Sequence, residues 1–129
     1  MKVLIADDSK TMRLMLANIM RSLNFEVFEA SDGRQALDRL REPGSVDLFL
    51  VDWNMPDMNG LECIKAVKKI PELQKMLIMM ITTETEMDNV VQAMEAGANE
   101  YVMKPFTREL FIGKLELMGL HLELSEPQH

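Results

Sequence analysis

A chain of 129 residues, 47% hydrophobic and 27% charged, fits one domain whose core needs no disulfide or structural metal. Its net charge of −7 argues against a nucleic-acid binder, since phosphate contacts need clustered Lys and Arg and the chain has no such cluster. The single cysteine, Cys63, excludes an intrachain disulfide and points to a reducing, cytoplasmic setting, while no apolar run approaches the roughly 18 residues of a membrane span.

The opening run Val3 to Ala6 reads as a buried strand and is too short for a signal peptide. Asp7 and Asp8 follow it directly. Ser9 then caps a helix whose apolar positions are Met12, Met15, Leu16, Ile19, Met20 and Leu23. Phe25 to Ala30 is a second strand, and Glu26 and Glu29 within it place it at a sheet edge. Ser31 or Asp32 caps a helix carrying Ala36, Leu37 and Leu40, and Pro43-Gly44-Ser45 breaks the chain. Leu48 to Val51 is a continuously apolar third strand ending at Asp52; Pro56 and Asn59-Gly60 then force a loop before a helix with Leu61, Ile64 and Val67. Pro71 precedes the fourth strand, Met76 to Ile81, which ends at Thr82. Thr85 with Asp88 resembles a capping box for a helix bearing Met87, Val90, Val91 and Met94, and Gly97 stands where a helix C-cap belongs. Tyr101 to Met103 is the fifth strand and Lys104 its end.

Strands alternating with helices argue for a doubly wound α/β sheet of five parallel strands. In the last helix Phe111, Leu115, Met118 and Leu122 form one stripe, while Leu110, Leu117, Leu120 and Leu124 form a second, nearly opposite. The second is expected to be an exposed ridge that meets a partner or a second copy. The thirteen methionines read chiefly as adaptable core filler. No repeat, linker or low-complexity segment is present, and only residues 125–129 read as a tail.

Asp7, Asp8, Asp52, Thr82 and Lys104 all stand at strand ends, where open parallel sheets bind ligands. Adjacent carboxylates repel unless a cation neutralises them, and hard oxygen ligands suit Mg²⁺. Asp7-Asp8 would also repel a phosphate bound in a loop after the first strand, so a flavodoxin-like phosphate cradle is disfavoured and a metal has to come first. Thr82 and Lys104 add a hydroxyl and an ammonium for phosphoryl oxygens.

In this order, Asp7-Asp8-Ser9, Asp52-Trp53-Asn54-Met55-Pro56, Asn59-Gly60, Ile81-Thr82, Gly97-Ala98 and Tyr101-Val102-Met103-Lys104-Pro105-Phe106 resemble the motifs of bacterial response-regulator receiver domains of the chemotaxis, CheY-like type. The resemblance runs from Lys2 to about Leu122 and implies a receiver domain over residues 1–124 with strand order 2-1-3-4-5. By the same resemblance Asp52 is the phosphoacceptor for a phosphohistidine of a sensor histidine kinase. Asp8, Asp52 and the Asn54 carbonyl hold Mg²⁺, and Asp7 acts largely through water. Thr82 and Lys104 bind the phosphoryl group, Thr82 and Tyr101 form the switch, and Asn54 and Glu84 tune the rate of phosphoryl loss. The Lys104-Pro105 bond is expected to be cis. Thr83 departs from the small residue often found there, which bears on access to the site. The implied output is a changed protein-binding surface, with the flagellar motor switch as the chemotaxis-type target and a phosphorylation-dependent homodimer as the other candidate contact.

Two other functions fit part of the pattern. A Mg²⁺-dependent aspartyl-phosphate hydrolase of the haloacid-dehalogenase type carries a second Asp two residues after the nucleophile, where this chain has Asn54. A receiver cut from a transcription factor or hybrid kinase would be followed by an output or ATP-binding region, and none is seen in 129 residues. Cys63 reads as a small core hydrophobe, His121 and His129 lack metal spacing, and Trp53 borders the site, where the resemblance implies that its fluorescence reports metal and phosphate binding.

Overall fold

The computed structural model describes residues 1–42, 44, 46–83, 87–120 and 122. Strands β1 (Lys2–Ala6), β2 (Glu26–Ala30), β3 (Leu48–Asp52), β4 (Leu77–Thr83) and β5 (Glu100–Lys104) alternate with helices α1 (Lys10–Ser22), α2 (Gly33–Arg41), α3 (Gly60–Val67), α4 (Met87–Ala96) and α5 (Arg108–Leu117). A single 3₁₀ turn, Pro71–Leu73, precedes β4. All strand pairs are parallel, in the order β2-β1-β3-β4-β5. The glutamate-bearing strand is at an edge, as its sequence predicts. No described helix is long and apolar enough to cross a membrane.

Side chains alternate across a strand, so each central strand feeds two cores. Leu4, Ala6, Phe49, Val51, Ile78 and Met80 pack with α2, α3 and Ala93 of α4 on one face. Val3, Ile5, Leu48, Leu50, Met79 and Ile81 pack with α1 and α5 on the other. This explains why β1, β3 and β4 read as unbroken apolar runs. Cys63 is fully buried in the first core, and burial pushes its thiol up to about 12, which suits the inert hydrophobe its sequence predicts.

The caps follow the sequence closely. The Ser9 hydroxyl accepts from Met12 N–H, Asp32 rather than Ser31 accepts from Gln35 N–H, and Asn59 with Glu62 forms a reciprocal capping box. Gly97, at φ 124°, ends α4. The suggested Thr85 box lies outside the described residues, as do Glu84, His121, Leu124 and residues 125–129.

Two expectations fail. Helix α5 stops at Leu117, because Gly119 takes a left-handed φ of 87° and turns the chain. Leu120 therefore packs against the second core instead of extending an exposed ridge, and among the described residues only Leu110 and Leu117 remain on that side, Leu117 at 76% exposure. On α4 the predicted apolar face is rotated: Val90 and Ala93 are buried, whereas Met87, Val91 and Met94 are exposed. The short Ala93 lets α4 sit close to β4, and the larger residues flanking it point outward. Methionine does serve chiefly as core filler: Met20, Met76, Met79 and Met80 are buried and Met12, Met55, Met58 and Met118 pack against the two cores, whereas Met1, Met15, Met87 and Met94 are exposed.

Gly60 opens α3 against the end of β3, where a Cβ would stand 2.5 Å from the Asp52 carbonyl oxygen and 3.0 Å from Trp53 Cα. Gly113, inside α5, has no atom within 4 Å of its would-be Cβ. Gly60→Ala is expected to lower stability by about 1–3 kcal/mol, and Gly113→Ala to raise it by up to about 1 kcal/mol. Urea unfolding midpoints measure both, and equal midpoints for the two variants would contradict this packing.

Candidate phosphoacceptor and metal site

The sheet register brings the predicted residues to one rim. Ala6 of β1 faces Val51 of β3, so Asp7 and Asp52 leave their strands side by side. Asp52 in turn faces Ile81, the residue before Thr82, and Thr83 faces Lys104. Backbone bonds hold the rim: Asp7 N–H to Ala30 O at 3.1 Å, Trp53 N–H to Ile81 O at 3.0 Å and Gly60 N–H to Trp53 O at 2.9 Å. The Lys104-Pro105 bond is cis.

Asp7, Asp8 and Asp52 each offer a carboxylate oxygen within 4.8 Å of the others. Asp7 and Asp52 are buried and Asp8 is exposed, which leaves the cluster open to solvent at Asp8. The Lys104 ammonium lies 3.2 Å from Asp7 Oδ2 and 3.4 Å from Asp52 Oδ1. Asp7 Oδ1 accepts the Ser9 N–H at 2.8 Å. Both Asp7 oxygens are thus engaged within the protein. Thr82 is buried beside this cluster, Asn54 is exposed on the loop after β3, and Trp53 is half-buried against the first core. Tyr101 lies half-buried on β5.

One ammonium against three carboxylates leaves an excess of negative charge. Burial, and then the neighbouring Asp7 charge, raise the Asp52 pKa to about 6, with Lys104 pulling it back and Asp8 adding a smaller push. For Lys104, burial works against the charged form, but Asp52 and Asp7 outweigh it and hold its pKa above the ordinary value. Crowded hard oxygens with surplus charge are the donor set of a hard divalent cation, so the residues present fit Mg²⁺.

The sequence did not single out Arg13. Its Nη1 donates to the Asp7 carbonyl at 2.7 Å and its Nε to Glu29 Oε1 at 3.2 Å, bracing the acidic turn against β2. Its place one turn beyond Ser9, on the helix that starts at the site, was the available signal. Gly60 was read only as a loop former, although its lack of a side chain is what lets α3 approach the Asp52 carbonyl.

A raised carboxylate pKa means that the protonated form is favoured in the folded state. The associated stability is present at low pH and is lost as pH rises through about 6. In metal-free buffer the stability advantage of Asp52→Asn over the wild type is therefore expected to grow by about 1.5 kcal/mol between pH 5 and pH 8. Saturating Mg²⁺ should remove that growth. Urea titrations at the two pH values test it, and a constant difference would contradict the charge balance described.

Residues 3–116 match the family model described as the response regulator receiver domain. The chain is 41% identical over 117 residues to the chemotaxis protein CheY of Pseudomonas aeruginosa, covering 90% of this chain and 94% of that protein. It is 40% identical over 119 residues to CheY1 of Helicobacter pylori, covering 92% and 96%. The solved structure of the chemotaxis response regulator CheY4 of Vibrio cholerae superposes with a TM-score of 0.84 at 34% identity, over 91% of this chain and 97% of that one. With its five-stranded sheet and an acidic cluster matching the receiver site, the chain belongs to the response-regulator receiver family and is a homologue of CheY-type chemotaxis regulators.

Proposed function

We propose that the chain is a cytoplasmic phosphorylation switch of a chemotaxis-type two-component system, with Asp52 as its phosphoacceptor. The observation that carries this reading is the burial of Asp52 between Asp7 and Lys104 at the carboxyl edge of the sheet. Asp8, Asp52 and the Asn54 carbonyl would hold Mg²⁺; Asp7, with both oxygens already engaged, would act largely through water. When bound, the cation would supply charge neutralisation for the carboxylates and the incoming phosphoryl oxygens.

An Asp52 carboxylate oxygen attacks phosphorus of a phosphohistidine on a sensor histidine kinase. The P–N bond breaks, a P–O bond forms, and the imidazole leaves with a proton from solvent. The chain supplies position and charge rather than turnover of an external metabolite. After transfer, negative charge has moved from the Asp52 oxygens onto the phosphoryl group. Lys104, which bridges Asp7 and Asp52 beforehand, follows that charge, and the Thr82 hydroxyl donates to a phosphoryl oxygen. Asn54 and Glu84 tune how long the acyl phosphate lasts.

Thr82 and Tyr101 carry the change to the face formed by α4, β5 and α5. Of that face, α4 exposes Met87, Val91 and Met94 and α5 exposes Leu110 and Leu117, apolar side chains suited to a target protein such as a motor switch component.

Incubation with acetyl phosphate, followed by intact mass and peptide mapping, tests the assignment. Mg²⁺-dependent addition of one phosphoryl group on the peptide containing Asp52 is expected, lost on chelation and in Asp52→Asn. Lys104→Ala should still accept the group yet fail to alter target binding. Wild-type-like labelling of Asp52→Asn would overturn the acceptor assignment.

A further inference from the structure

Tyr101 is held by a pair of charged side chains that the phosphoacceptor site does not use. The Nζ of Lys114, on α5, stands 4.2 Å from the centroid of the Tyr101 ring. The same ammonium lies 3.4 Å from Glu100 Oε1, and that oxygen also accepts the Tyr101 backbone N–H at 2.9 Å. One glutamate thus ties the strand backbone at Tyr101 to the cation that covers its ring. Both charged side chains are largely shielded from solvent, so salt screens this pair less than an open surface pair. The negative face of an aromatic ring attracts an ammonium, and a cation fixed by a carboxylate loses little further freedom in meeting it.

We propose that Lys114, tied by Glu100, is a positioning residue that holds Tyr101 in its resting pose and thereby sets how readily phosphorylation is transmitted to the α4–β5–α5 face. The inference rests on the reading of Tyr101 as the switch aromatic. If the ring leaves the ammonium on activation, the contact stabilises only the resting state. Linkage then requires that it weaken binding of a phosphoryl mimic by the same factor by which it favours that state. A contact kept in both states would shift nothing.

Tyr101 is the sole tyrosine and Trp53 the sole tryptophan of the chain, so the two ends of the coupling can be read separately. Fluorine NMR of 3-fluorotyrosine-labelled protein reports the ring, and Trp53 fluorescence reports Mg²⁺ and beryllofluoride binding at the site. Lys114→Met keeps the apolar stem without the charge, Lys114→Arg keeps a cation, and Glu100→Gln keeps an acceptor for the Tyr101 N–H while releasing the ammonium. Mg²⁺ affinity is expected to be the same in all four proteins. At saturating Mg²⁺, beryllofluoride should bind roughly two- to tenfold more tightly to Lys114→Met than to wild type, somewhat more tightly to Glu100→Gln, and with wild-type affinity to Lys114→Arg. The unloaded Lys114→Met resonance should lie displaced toward the position it takes in loaded wild type. If the wild-type resonance moves on loading but Lys114→Met and Glu100→Gln bind beryllofluoride as wild type does, the positioning role is wrong and the switch reading stands. If the wild-type resonance does not move on loading, the switch reading fails and the proposal fails with it.

Discussion

Repulsion among three carboxylates at the carboxyl edge of the sheet is the constraint around which the rest of the molecule is arranged. Lys104 offsets part of it, at 3.2 Å from Asp7 and 3.4 Å from Asp52, and burial together with the remaining repulsion raises the pKa of Asp52. Such an arrangement persists only because the surrounding fold over-determines it. The parallel register fixes Asp7 beside Asp52, Arg13 holds the Asp7 carbonyl, and Gly60 lets α3 close against the Asp52 carbonyl. Two apolar cores, one on each face, supply the stability that the rim gives up.

Such a site is poised in a definite sense. Before a cation arrives, burial and the Asp7 charge raise the Asp52 pKa to about 6; a cation that neutralised the excess would favour its carboxylate form. Lys104 matters in both conditions, since it bridges two carboxylates that a phosphoryl group on Asp52 would separate in charge. The conformational consequence follows from which contacts differ between the two states, and β5 joins Lys104 at one end of its run to Tyr101 and Glu100 at the other.

Most of the site could be read in the sequence because the chemistry sits at strand ends, and strand ends are marked by abrupt transitions from apolar runs to Asp, Thr or Lys. The same contrast placed β2 at an edge through Glu26 and Glu29. Helix faces were read less well. On α4, Met87, Val90, Val91 and Met94 fit an amphipathic period, but period cannot say which apolar side chain is turned inward when Ala93 supplies the close contact. On α5 the stripe continued past Leu117 on paper, and the left-handed turn at Gly119 ended it. Arg13 and Lys114 escaped notice for a different reason: their roles depend on partners 6 to 16 residues away, Asp7, Glu29 and Glu100 among them, and only tertiary structure brings those together.

The central claim is that charge crowding around Asp52 is what a bound cation relieves. Calorimetric titration with Mg²⁺ in two buffers of different ionisation enthalpy counts the protons released on binding. At pH 6 the account predicts one Mg²⁺ per chain with release of about half a proton, because Asp52 is then about half protonated, and release should vanish at pH 8 and in Asp52→Asn. Binding at pH 6 without proton release, or release that persists in Asp52→Asn, would contradict it.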